Sequence, residues 1–113
     1  MPYPSTVPRV TIYAGDTVTW PTYTLRENEV PLNLTAYTWA AQWRPTPEST
    51  EFVTLALDLS QAAAGKITPS ASAAQTAGMT TTGVWDLQST LGGVVRTWLV
   101  GPTTCQKDVT RLG

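Results

Sequence analysis

The chain has 113 residues and a net charge of −1, and only 13 % of its residues are charged, about half the usual share. This length allows one domain with one hydrophobic core. The seven Lys and Arg residues are scattered singly, which excludes a local basic patch for nucleic acid, and no run approaches the roughly 20 apolar residues that cross a bilayer.

Residues 1–8 contain Pro2, Pro4 and Pro8 and are predicted to form an extended arm, because proline lacks the backbone donor that a sheet interior needs. Such a stiff arm loses little conformational entropy when it docks. Tyr3 and Pro4 are therefore candidate contacts to a neighbouring subunit. The remaining residues, 9–113, are predicted to form one β-sandwich domain.

Alternation of apolar and polar residues predicts short strands through most of this domain. They cover residues 9–13, 17–25, 37–44, 52–59, 66–69, 83–91, 94–101 and 103–111. One short helical turn is expected near residues 72–78, with a Ser N-cap and a terminal Gly. About seven or eight short antiparallel strands separated by turns predict an all-β sandwich.

The strands at 83–91 and 94–101 meet at Gly92-Gly93, and two glycines supply the positive φ angles of a two-residue hairpin turn. This turn predicts that Leu91 faces Val94 and Ser89 faces Arg96. Continued without interruption, the same register places Leu87 opposite Trp98 and Trp85 opposite Val100.

The candidate core residues share inward positions on these predicted strands. They are Trp39, Trp43, Val53, Leu55, Leu57, Trp85, Leu87, Trp98 and Val100. Pro21 indicates an edge or a bulge in the strand at 17–25. Trp20 and Tyr23 of that strand are therefore candidate partner contacts.

The sequence contains no histidine, the commonest general base and a frequent zinc ligand. Its eight acidic residues lie in turns or at isolated strand positions, and no Gly-rich phosphate loop precedes a helix. We predict that the protein is not an enzyme and holds no cofactor or metal. Its single cysteine, Cys105, fits synthesis in the cytosol without a disulfide framework.

The order and spacing of several short motifs resemble the immunoglobulin-like N-terminal domain of phage baseplate upper proteins and related small tail proteins. The motifs are AGDTVT at 14–19, PLNLTAY at 31–37, AAQWR at 40–44, AGKIT at 64–68, AAQTA at 73–77, GVWDL at 83–87 and DVTR at 108–111. The resemblance implies an immunoglobulin-like sandwich and a structural role in the virion, at the tail tip or baseplate. It also implies partners among other virion subunits or copies of the same chain.

Two other functions remain open from the sequence. A capsid decoration protein would use a similar compact sandwich. A carbohydrate- or receptor-binding module would instead stack exposed aromatic residues such as Tyr3, Trp20 or Tyr23 on sugar rings.

Overall fold

The computed structural model describes residues 4–79 and 81–107, and its secondary structure is mostly β. The first six strands are short: β1 (Ser5–Thr6), β2 (Val10–Ala14), β3 (Val18–Thr19), β4 (Tyr23–Thr24), β5 (Arg26–Glu27) and β6 (Val30–Pro31). The later strands are longer: β7 (Thr38–Arg44), β8 (Val53–Asp58), β9 (Lys66–Ala71), β10 (Gly83–Leu91) and β11 (Val94–Lys107). Two 3-10 turns, Leu34–Ala36 and Ala62–Ala64, and one helix, α1 (Ala73–Thr76), complete the fold.

Nine of these strands form one curled, mixed sheet, in which the order from one edge is β1, β11, β10, β7, β8, β9 and β3. β2 also pairs with β11, and β4 also pairs with β9. The sheet curls at β8, whose residues 53–55 pair with β7 and whose residues 56–58 pair with β9. The all-β class is confirmed, but the strands are not all antiparallel.

The curled sheet encloses its core between β10 on one side and the β3–β4 region on the other. Trp85 of β10 contacts Trp20 edge to face, with ring centroids 5.9 Å apart, and Tyr23 at 5.6 Å. Of the predicted core residues, six are buried: Trp39, Trp43, Leu55, Trp85, Leu87 and Trp98. Val53 and Leu57 are partly buried and pack against this core.

Three of the core tryptophans satisfy their indole N–H groups inside the fold. Trp39 donates to the Leu34 carbonyl oxygen at 3.0 Å, and Trp43 donates to Thr103 Oγ1 at 2.7 Å. Trp98 donates to Ser89 Oγ at 2.8 Å. These bonds offset the cost of burying a polar group and fix the orientation of each ring.

The hairpin between β10 and β11 follows the predicted register only near its turn. Leu91 pairs with Val94 and Ser89 with Arg96, as predicted, but Leu87 pairs with Leu99 instead of Trp98. The register shifts between Leu87 and Gln88, because Trp98 is the extra residue of a β-bulge on β11.

The bulge changes which side chains of β11 face the core. Trp98 and the next residue, Leu99, are both buried, although simple alternation would place them on opposite faces. Val100 is then displaced to the outer face, where it pairs with Asp86 and is only partly buried. The prediction of Val100 as a core residue was therefore wrong.

Residues 5–7 of the predicted N-terminal arm belong to the sheet rather than extending away from it. Ser5 and Thr6 pair in parallel with Leu99 and Val100, and the Val7 N–H donates to the Val100 carbonyl oxygen at 2.9 Å. β2 continues the same parallel edge of β11 after an interruption at Pro8-Arg9. The prolines confine this segment to an edge, as expected, but they do not keep it from pairing.

Deletion of residues 2–7 is therefore expected to destabilise the protein. The loss of β1 pairing and of the partly buried Val7 side chain should lower the free energy of unfolding by about 1–2 kcal/mol. Thermal unfolding followed by circular dichroism measures this loss, because each kcal/mol lowers the melting temperature of a small domain by roughly 4–8 °C. Deletion of residues 2–4 alone leaves β1 intact and serves as the control. Equal melting temperatures for both deletions would contradict the assignment of residues 5–7 to the sheet.

The predicted helical turn is present but short. Ser72 caps α1 by accepting the Gln75 N–H, and the Gln75 side chain in return accepts the Ser72 N–H, which is a capping box. Thr76 is fully buried and joins α1 to the turn after β2, because its hydroxyl contacts Gly15 N and the Asp16 carbonyl oxygen.

The predicted final strand at 103–111 is not a separate element. Residues 103–107 continue β11, which pairs with β10 at its start and with β2 at its end. Residues 108–111, including the DVTR motif, lie outside the described residues.

Candidate functional site

The four candidate partner contacts have different environments in the structure. Trp20 is only 1 % exposed and its ring packs on Trp85, so its prediction as a contact residue was wrong. Pro21 lies between β3 and β4 at the edge of the sheet, and an edge position was predicted, but the curl of the sheet covers the indole ring. Tyr23 is half-buried against Trp85, and burial raises the pKa of its phenol. Pro4 is exposed, and Tyr3 lies outside the described residues.

Within the described part of the chain, the tip of the β10–β11 hairpin carries three exposed apolar side chains on two adjacent strands. Leu91, Val94 and Val95 are 48 %, 68 % and 61 % exposed, and we call these three residues the apolar tip. Gly92 and Gly93 form its turn with φ angles of +58° and +81°. Sequence reasoning assigned Leu91 and Val94 to the apolar face of the hairpin but missed that the hairpin continues beyond the core.

A second feature lies on the outer face of the sheet, across the middle of β7 and β10. Cross-strand pairing places Arg44 beside Val84, Gln42 beside Asp86 and Ala40 beside Gln88. These six side chains, together with Pro47 and Val100, line a groove of about 380 Å³ that we call the outer groove. The bulge at Trp98 supplies Val100 to this groove, which is why alternation along β11 could not predict it.

Hydrogen bonds hold the guanidinium of Arg44 in place within the outer groove. One terminal nitrogen donates to Gln42 Oε1 at 3.0 Å, and the other donates to the Ser49 carbonyl oxygen. The guanidinium carbon also lies 4.9 Å from the centre of the half-exposed Phe52 ring. Arg44 therefore connects β7 to the 45–52 loop.

Asp86 lies next to this arginine in a partly desolvated position. Burial raises the pKa of its carboxyl above the ordinary value, and the positive charge of Arg44 opposes that shift only in part. Its Oδ2 accepts one long hydrogen bond, 3.5 Å, from Gln88 Nε2, which also contacts Thr97 Oγ1 at 3.3 Å. The carboxylate thus keeps acceptor capacity toward the groove.

A smaller polar pocket of about 110 Å³ lies between β4 and the segment that follows β8, and includes Thr22, Asp58 and Thr68. Hydrogen bonds from Ser60 lower the pKa of the Asp58 carboxyl, which is fully exposed. The two threonine hydroxyls lie 2.7 Å apart and satisfy each other. This arrangement is that of a solvated turn.

The described residues offer little that is typical of catalysis. No group of three or more His, Cys, Asp or Glu side chains converges within 4–79 and 81–107. Burial raises the pKa of the Cys105 thiol, although a hydrogen bond with Thr103 opposes this, so the nucleophilic thiolate is disfavoured. Across the same residues, no helix has the length and apolarity needed to cross a membrane.

No protein-family model matches this chain, and no curated protein matches it.

Proposed function

We propose that this protein is a structural component of a phage virion, a tail-tip or baseplate-associated subunit that binds its neighbours rather than catalysing a reaction. The order of motifs described above supports the phage assignment. A surface with few charges supports close contact with other subunits, because charge repulsion contributes little to keeping such a chain dispersed. We place the protein in the virion after synthesis in the host cytoplasm.

We also propose an immunoglobulin-like arrangement for the two halves of the curled sheet. The crossing of β8 from one half to the other supports this proposal, as does the packing of Trp20 against Trp85 between the halves. The parallel edge formed by β1 and β2 is a departure from the simple antiparallel sandwich.

The observation that carries the functional proposal is the apolar tip. Exposed, clustered apolar side chains at the end of a long hairpin are typical of protein contacts, since water is excluded when a partner covers them. The molecule is elongated, 46 by 29 by 23 Å. In this proposal the apolar tip and the sheet edges bind the neighbouring subunits, in place of the arm that the sequence predicted.

Val94→Lys tests the contact directly. The side chain is 68 % exposed, so the melting temperature should stay within about 2–3 °C of the parent, as for ordinary surface substitutions. Incorporation into particles, measured by quantitative mass spectrometry after complementation, should fall about tenfold or more, equivalent to about 1.4 kcal/mol of contact energy. Ala63→Lys adds the same charge at an exposed position on a 3-10 turn and is the control.

Unchanged incorporation of Val94→Lys would exclude the apolar tip as an assembly contact. Immunogold labelling of purified particles tests the location separately. Label at the tail tip is the expected result, and label spread over the capsid would favour the decoration role. A purified particle without the chain would overturn the virion proposal itself.

A further inference from the structure

The outer groove presents polar groups in a defined arrangement on a rigid part of the sheet. Gln42 and Asp86 are direct cross-strand neighbours, and Gln88 follows Asp86 on the same face of β10. All three are partly buried, so their positions are limited by the strands around them. Groups positioned on paired strands in this way lose little freedom when they bind a ligand.

Charge within the groove favours a neutral ligand. Arg44 and Asp86 carry opposite charges and lie close enough to interact. Two of the N–H donors of Arg44 are directed to Gln42 and Ser49, and its guanidinium covers the Phe52 ring. The Asp86 carboxylate beside it would repel an anionic ligand. A divalent cation would find one carboxylate rather than the several oxygen ligands that it requires.

The remaining polar capacity of the groove suits a ligand with several hydroxyl groups. The Asp86 carboxylate and the side-chain oxygen of Gln88 can accept hydrogen bonds, and the side-chain nitrogen of Gln42 can donate them, because the Gln88 nitrogen already contacts Asp86 and Thr97. Each hydroxyl of a sugar ring can both donate and accept a hydrogen bond. One carboxylate or one amide can therefore bind two neighbouring hydroxyls of the ring at once. Apolar side chains of Val84 and Val100 lie beside these polar groups and match the C–H face of such a ring.

We propose that the outer groove binds a neutral saccharide, with Asp86 and Gln88 hydrogen-bonded to neighbouring hydroxyls and Val84 and Val100 in contact with the ring. The volume of about 380 Å³ lies within the range of about 300–1,000 Å³ for small-ligand sites. This site differs from the aromatic platform expected from the sequence, since Trp20 is buried. It is independent of the virion proposal, because none of the residues that line the groove belongs to the apolar tip.

Titration of the isotopically labelled protein, followed by NMR, tests this inference. The probes are glucose, galactose and N-acetylglucosamine, added separately, with sodium acetate as the anionic comparison. At least one sugar should produce saturable shifts at the side-chain amides of Gln42 and Gln88, with a dissociation constant of roughly 1 mM. Acetate should not compete.

Two variants and a control link these shifts to the groove. Gln88→Ala and Asp86→Ala should each weaken binding about tenfold, while Gln106→Ala, an exposed glutamine of β11 outside the groove, should bind like the parent. Asp86→Asn is the control for folding. Burial disfavours the ionised carboxylate at this position, so the neutral amide of asparagine should be tolerated.

The inference is overturned if none of the three sugars gives saturable shifts. It is also overturned if the shifts lie away from β7 and β10, or if the folded groove variants bind as tightly as the Gln106→Ala control. Stronger binding of acetate would show an anion site instead and would reject the neutral saccharide.

Discussion

Replacing Trp98 with alanine is expected to lower the free energy of unfolding by about 3–5 kcal/mol, the range for a large aromatic residue removed from a core. The side chain is 1 % exposed, and the centroid of its ring lies 6.0 Å from that of the Trp39 ring. The substitution leaves a cavity and also removes the hydrogen bond to the buried Ser89 hydroxyl. The Arg96 guanidinium, 4.0 Å from the centre of the indole ring, loses its cation–π contact.

Urea unfolding monitored by circular dichroism provides the measurement, with Val94→Ala on the same strand as the control. Val94 is mostly exposed, so its truncation should change stability by less than about 1 kcal/mol. A loss below about 1 kcal/mol for Trp98→Ala would mean that the ring is not in the core. The β-bulge, which turns Trp98 and Leu99 toward the interior together, would then be misplaced.

Gly83→Ala is expected to lower the free energy of unfolding by about 1–3 kcal/mol, toward the upper end of this range, because the new methyl group would be overpacked. A Cβ atom at Gly83 would lie 2.5 Å from Trp43 Nε1 and 2.6 Å from the Arg44 carbonyl oxygen. The backbone of β7 is held by pairing with β10, and the indole of Trp43 is held by its hydrogen bond to Thr103. Neither neighbour can move without breaking one of these contacts.

Gly78→Ala is the matched control, since its Cβ atom would meet only the Gln75 carbonyl oxygen at an ordinary distance of 3.6 Å. It should be neutral or stabilising by about 0.4–1 kcal/mol, because alanine restricts the unfolded chain. Thermal unfolding of the two variants side by side distinguishes overpacking from a general effect of replacing glycine. Equal stabilities would show that space is available beside Trp43.

Several features of the fold follow from local sequence alone. Alternation in β7 places Trp39 and Trp43 on one face, and the same rule places Trp85 and Leu87 on the inner face of β10. The Gly92-Gly93 turn sets the first pairs of the hairpin, and Ser72 marks the start of α1. These predictions succeed because strand alternation, turn geometry and helix capping each depend on residues a few positions apart.

The position of Trp20 required the tertiary structure. Its local pattern, beside threonines and next to Pro21, is that of an exposed edge, and residues 18–24 do form two short strands at the edge of the sheet. The curl of the sheet at β8 brings this edge over Trp85, about 65 residues away in sequence, and buries the indole. No local rule encodes a contact of that separation.

The sequence by itself determined the all-β class, the hairpin turn and the tryptophans of β7 and β10 as core residues. Only the tertiary structure decided the pairing of β1 and β2 with β11, the bulge at Trp98 and the outer groove that follows from it. The physical reason is that one extra residue in a ladder reverses every later side chain, whereas alternation carries no signal of where that residue is inserted. Val100 shows the consequence: its sequence pattern predicted the core, and the bulge places it in the groove.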